Sequence, residues 1–125
     1  MSLPQEVTRD FERIFYIDLL TGHYLEFSAD GMGGFEIHPD GKDFFRDMQD
    51  KLLKAVSEQD KAAVAGVLTL DSLKNWAGQE EKLRLSFRAL ADGREKLYSL
   101  QTVKTRNSGG RHIAVGIRPE DNESE

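Results

Sequence analysis

A chain of 125 residues and 14.1 kDa, 38% hydrophobic and 31% charged, has the size and composition of one soluble globular domain with a single core. It has no cysteine, which excludes disulfides, thiolate metal sites and cysteine nucleophiles, and no apolar run near the ~20 residues that a bilayer helix needs. The net charge of −5 sits largely in the tail: Glu120, Asp121, Glu123 and Glu125 face no base there, and the remaining 18 acids meet 17 bases, so no basic excess exists to hold nucleic-acid phosphates.

In chain order, Met1-Ser2-Leu3 reads as a leader outside the fold, and no basic segment followed by an apolar stretch marks a secretory signal, so a cytoplasmic location is expected. Gln5 to Arg13 sets Val7 and Phe11 four apart among charges, which predicts a short amphipathic helix. From Ile14 the period becomes two. Phe15, Ile17 and Leu19 alternate with Tyr16 and Asp18, and after the turn Thr21-Gly22 the stretch His23 to Ser28 completes a β-hairpin. Asp30-Gly31-Met32-Gly33-Gly34 and His38-Pro39-Asp40-Gly41 are predicted loops. Asp43 stands where it caps a helix running to about Ser57, with Phe45, Met48, Leu52, Leu53 and Val56 on one face. Asp60 is expected to cap a second helix carrying Val64, Val67 and Leu68. Thr69 is expected to cap a third, with Leu70, Leu73 and Trp76, ended by Gly78.

The last third returns to strands. Leu83, Leu85 and Phe87 alternate with Lys82, Arg84, Ser86 and Arg88, and Asp92-Gly93 is a hairpin turn. Lys96 to Thr105 is the next strand, Asn107-Ser108-Gly109-Gly110 a turn, and His112 to Arg118 the last strand, with Ile113, Val115 and Ile117 on one face. The predicted order is β-β-α-α-α-β-β-β. It describes an α+β domain with a five-stranded antiparallel sheet, helices on one face and a short N-terminal helix.

Motifs that carry chemistry are incomplete. Gly33-Gly34-Phe35-Glu36 lacks the central acid of a GGDEF signature. Gly31-x-Gly33-Gly34 has no following Lys-Ser or Lys-Thr to hold phosphate and magnesium, so the first reads as a flexible loop and the second as a turn needing positive φ. Glu36, His38, Asp40, Gly41 and Asp47 imitate the spacing of a calcium loop, but with the wrong acid first, a histidine among the ligands and no bidentate glutamate. His23, His38 and His112 share no metal-binding spacing, and none lies on a predicted helix as an axial haem ligand would. No Gly-x-Ser-x-Gly frames a serine, and no carboxylate pair is marked as acid and base. No catalytic residue, metal ligand or cofactor is therefore expected, and the chain reads as non-enzymatic.

The element order is that of a PAS domain, and several segments resemble PAS-like domains found ahead of bacterial GGDEF diguanylate cyclases. Phe15-Tyr16-Ile17-Asp18-Leu19-Leu20-Thr21-Gly22-His23-Tyr24 is similar to their aromatic-x-Ile-x-Leu-x-Thr-Gly-x-Tyr opening. Gly41-Lys42-Asp43-Phe44-Phe45 resembles their Gly-x-Asp-Phe-Phe helix start. Val56-Ser57-Glu58-Gln59-Asp60-Lys61 resembles their Val-x-Pro-Glu-Asp-Arg segment without its proline, and Ile113-Ala114-Val115-Gly116-Ile117-Arg118 their last strand. The likeness runs from about Phe15 to Asp121.

The resemblance implies a PAS-like domain over 14–118, preceded by a leader and helix over 1–13. An acidic linker over 119–125 then leads to an output domain of a longer parent chain. The implied role is non-catalytic sensing and regulation in bacterial signal transduction. The implied output domain is a diguanylate cyclase of cyclic di-GMP signalling, with a histidine kinase or phosphodiesterase as alternatives. A pocket between helices and sheet would be lined by Phe44, Met48, Leu52, Trp76, Leu85, Phe87 and Tyr98. It holds an unidentified small molecule or is simply a filled core, and Trp76 and Tyr98 bring the polar atoms to orient a ligand. Arg118, Glu120 and Asp121 would form the signal-transmitting junction. Val7, Phe11 and Ile14 would form an apolar stripe that pairs two copies in a homodimer or covers the chain's own sheet. Neither nucleic acid nor membrane insertion is implied. Two rivals are a small α+β enzyme or carrier with a cone-shaped cavity, which needs convergent polar groups such as an Asp–His pair, and a dimerisation module without ligand.

Overall fold

A computed structural model describes residues 11–77, 83–103 and 111–120. Two strands, β1 (Arg13–Asp18) and β2 (Tyr24–Ala29), form the first hairpin, with Ile17 opposite Tyr24. Its turn is closed by the Gly22 N–H donating to the Asp18 carbonyl at 2.8 Å and the His23 N–H donating to Thr21 Oγ1 at 3.1 Å. A third strand, β3 (Phe35–Gly41), pairs with β2. Three helices follow: α1 (Phe44–Lys51), α2 (Glu58–Val67) and α3 (Leu70–Ala77). The chain returns through β4 (Arg84–Ala91), β5 (Arg94–Val103) and β6 (His112–Pro119). All pairings are antiparallel, in the order β3-β2-β1-β6-β5-β4, so first and last strands meet at the centre.

The architecture is the expected α+β one, but the sheet has six strands, not five. The expected loop His38-Pro39-Asp40-Gly41 is the second half of β3. Proline cannot donate to a ladder, and β3 tolerates it because it is an edge strand with one partner. That extended course also removes the calcium-loop geometry that Glu36, His38 and Asp40 imitate.

Helix boundaries moved for identifiable reasons. Asp43 caps α1 as expected, accepting from the Arg46 N–H at 3.3 Å. The helix stops at Lys51 rather than near Ser57. The Leu53 N–H donates back to the Met48 carbonyl, Ala55 to Leu52 and Val56 to Leu53, and these turns still bury Leu52 and Val56. Asp60 does not cap α2. Ser57 holds the cap position, but its hydroxyl donates to Glu95 Oε2 at 2.5 Å instead of serving the helix, and the Asp60 carboxylate accepts from the Arg88 N–H at 2.9 Å on β4. Thr69 does serve α3, accepting from the Ser72 N–H at 3.2 Å. Arg13, the last residue of the expected N-terminal helix, opens β1. Gly78 and the turn Asn107-Ser108-Gly109-Gly110 lie outside the described residues, as does the end of the fourth expected strand at Thr105.

The helices cover one face of the sheet. Phe44 and Met48 of α1, Val64 of α2 and Leu73 of α3 share one buried cluster with Phe15, Ile17, Phe87, Leu100, Ile113, Val115 and Ile117. Each fully buried side chain of this kind contributes roughly 1.5–3 kcal/mol. The opposite face is buried too at its centre. Ile14 and Ala114 are fully buried there, and Phe11 packs with them. Gly116 makes room for that ring: a methyl group at this position would lie 2.6 Å from Phe11 Cδ1. Among the described residues, no helix is long and apolar enough to cross a membrane.

Candidate functional site

The seven residues expected to line an inner pocket do come together. Phe44, Met48, Leu52, Phe87 and Tyr98 are buried in the helix-covered core, and Trp76 and Leu85 pack partly buried against it. Alternation in β4 and β5 brings Phe87 opposite Tyr98, with rings stacked at 5.9 Å. The Tyr98 hydroxyl makes no hydrogen bond among the described residues, and burial pushes its pKa up, with Glu12 and Asp92 adding to the push. The neighbouring aromatic group is tied down. Phe44 packs edge-on against Phe15 and Tyr24, and the Tyr24 hydroxyl donates to Asp47 Oδ2 at 2.6 Å, joining β2 to α1. Burial first, and the Asp47 carboxylate second, hold the Tyr24 phenol above the usual tyrosine range.

An open cleft of about 390 Å³ lies elsewhere, at the hairpin end of β1 and β2. Its lining includes Tyr16, Asp18, His23, Leu25, Lys42 and His112. Tyr16 and Asp18 share the strand face opposite the core, and register sets Asp18 across from His112. The imidazole of His112 stacks on the Tyr16 ring, 5.2 Å between centroids and only 7° from parallel. Asp18 accepts from Arg111 Nε at 3.1 Å and Arg111 Nη2 at 2.9 Å, and from the Leu20 N–H at 2.9 Å. The Arg111 guanidinium holds the Asp18 carboxyl far below the usual carboxylate range, and the pairing raises Arg111 in turn. His112 Nε2 lies 3.8 Å from Asp18 Oδ2. Sequence reasoning missed this group because its parts stand 93 positions apart. The signal within reach was strand parity: a hairpin-end Asp on the first strand and an Arg-His pair opening the last.

A second, smaller cleft of about 310 Å³ runs between β2, β3 and α1, with Glu26, His38, Asp47 and Lys51 among its lining. Among the described residues, no three His, Asp or Glu side chains gather so as to hold a metal ion.

The junction residues are separated in their surroundings. The Arg118 guanidinium lies over the Phe11 ring at 6.0 Å. Glu120 continues the ladder past Pro119, its N–H donating to the Leu97 carbonyl at 2.9 Å. Its carboxylate accepts from Ser86 Oγ at 2.6 Å, with Arg84 Nη2 3.9 Å away. Asp121 lies outside the described residues, as does Val7. The other two members of the expected dimer stripe do not share a helix. Ile14 is wholly buried in β1, where strand alternation turns it onto Ala114, and Phe11 covers the chain's own sheet.

No protein-family model matches this chain, and no curated protein matches it.

Proposed function

We propose that the chain is a PAS-like sensory or regulatory module that controls an output domain of a longer bacterial signalling protein, most simply a diguanylate cyclase. One observation carries this reading: three helices interrupt an antiparallel sheet after its first three strands and pack on one face, with first and last strands side by side at the centre. Parallel strands, or helices that follow the sheet, would have ended it. The gathering of Phe44, Met48, Phe87 and Tyr98 under the helices supports the corollary that any ligand of the inner core is mostly apolar. In this reading the module does no chemistry. A signal shifts the balance between two packings of the sheet, and β6 with Glu120 hands that bias to the output domain.

The test is the natural reading frame beyond codon 125. An in-frame cyclase, kinase or phosphodiesterase domain is the expected finding, and a stop codon there refutes a module acting on its own chain. With the parent protein in hand, Glu120→Gln should change output activity while leaving the melting temperature of this domain in place. Unaltered output would count against the junction. Light scattering on the same protein reads the homodimer that goes with the reading.

A further inference from the structure

We infer that the cleft on the outer face of the sheet, at the hairpin end of β1 and β2, is a binding site for a small aromatic carboxylate. It lies on the face opposite the helix-covered core and stands apart from the sensory reading.

Charge selects an anion. Among the described residues Asp18 is the one acid in the lining, and the bidentate bond from Arg111 answers its charge. Lys42 is exposed at the rim, and neither its ammonium nor the His23 imidazole has a hydrogen bond or ion pair among the described residues. Among the described residues the cleft therefore keeps one permanent positive charge, on Lys42, and the His23 imidazole without a partner, which suits a single carboxylate. A dianion would bring a second charge that the lining leaves uncompensated.

Shape selects a ring. The stacked Tyr16 and His112 form an aromatic wall, and Leu25, opposite Tyr16 in the ladder, supplies an apolar floor. Flat apolar surface with a few converging polar groups is the usual make-up of a small-molecule site, and about 390 Å³ falls at the lower end of the usual size range. The walls are built on rigid parts. The Asp18–Arg111 pair clamps β1 to the start of β6, and the Asp18 N–H donates to the His23 carbonyl at 2.8 Å. A ligand arriving here meets a formed surface and orders little on binding.

Benzoate is the probe, followed by amide NMR shifts on the whole chain. Acetate supplies the charge without the ring, and benzamide the ring without the charge. Saturable benzoate shifts centred on residues 16–18, 23–25, 41–42 and 111–112 are expected, with both control compounds at least tenfold weaker. Lys42→Gln, on an exposed position, should weaken benzoate about tenfold with no change in melting temperature. Tyr16→Leu should weaken it similarly while keeping the strand apolar. Shifts that fail to saturate, an equal response to acetate, shifts centred on core residues such as Met48 and Phe87, or full affinity in Lys42→Gln would each overturn the site. The fate of the sensory reading is unaffected by any of these, since its test is the downstream reading frame.

Discussion

The Tyr24–Asp47 hydrogen bond gives the fold a defined response to alkali. Tyr24→Phe removes the 2.6 Å bond and leaves a ring that still packs against Phe15 and Phe44. A bond to a charged acceptor contributes about 1.5–3 kcal/mol, but Asp47 is only half-buried and regains water once the phenol is gone. The expected loss at pH 7 is therefore ~1 kcal/mol, read as a lower urea midpoint at unchanged slope. The sign of the pH effect follows from the raised folded pKa. Below about pH 10 both folded and unfolded phenols keep their proton, and the contribution is complete. As pH climbs further, the unfolded chain loses its proton first and the contribution drains away. The parent protein should thus lose stability faster than Tyr24→Phe above about pH 10, and the gap between them should close. Tyr98, also raised by burial, is present in both proteins and leaves a shared alkaline slope. Urea titrations from pH 7 to about pH 11 measure the gap. A gap that stays constant across that range would refute the argument, because a purely structural loss has no reason to vanish as the phenol ionises.

Three further outcomes follow from packing and backbone geometry. Gly116→Ala should cost about 1–3 kcal/mol by pressing its methyl on Phe11, and that cost should largely disappear in a Phe11→Ala background; additive urea midpoints would show that Phe11 does not cover Gly116. Gly93→Ala should cost about 1 kcal/mol or more, since the two-residue turn holds Asp92 at φ 55° and Gly93 at φ 78°, and a thermal midpoint equal to the parent's would contradict that turn geometry. Phe44→Ala should cost about 3–5 kcal/mol, because its ring is fully buried among Phe15, Tyr24 and Phe45. A loss below about 1 kcal/mol would mean that the core under α1 collapses around the gap, or is not packed this way.

How much of this was legible in the sequence depends on where the information lies. The β4–β5 hairpin was legible because its evidence is local: strict alternation through Leu83, Leu85 and Phe87, then Asp92-Gly93, a pair suited to two successive positive φ angles. The strand β3 was not. Phe35-Glu36-Ile37-His38 alternates too briefly to outweigh Pro39 and Gly41, and only its place at the sheet edge makes the proline harmless. The overlong first helix had a different cause. Leu52 and Val56 keep helical spacing from Met48, yet the turns after Lys51 bury them equally well, so apolar spacing alone could not locate the helix end. Asp60 looked like a cap because acids near a helix start usually are, and its true partner is the Arg88 backbone N–H, 28 positions away. The expected pocket residues gathered because period-two and helical patterns report burial. The outer cleft did not announce itself, since it depends on β1 lying beside β6.

That pairing also explains why the outer face is closed at one end and open at the other. A strand buried on both sides reads as a continuous apolar run, and β6 does so from Ile113 to Ile117, with Ala114 and Gly116 supplying the outward positions. Small residues there leave depth above the sheet. Phe11 fills it over Gly116, and the Arg118 guanidinium rests on that ring. Toward the other end of β6 the outward residue is His112, whose partners Tyr16 and Asp18 stand at the cleft. One strand therefore carries the proposed anion site at its start and the Glu120 junction just past its end, ~27 Å apart at strand rise. Between them, β6 is hydrogen-bonded on both sides, to β1 and β5, and its side chains enter both apolar clusters. A strand held in this way does not slide on its own. If the cleft and the junction are coupled, the movement must be one of the sheet's twist, shared by β1, β6 and β5. Substitutions that loosen the Phe11–Gly116 contact, midway along the strand, should then alter the coupling without touching either end.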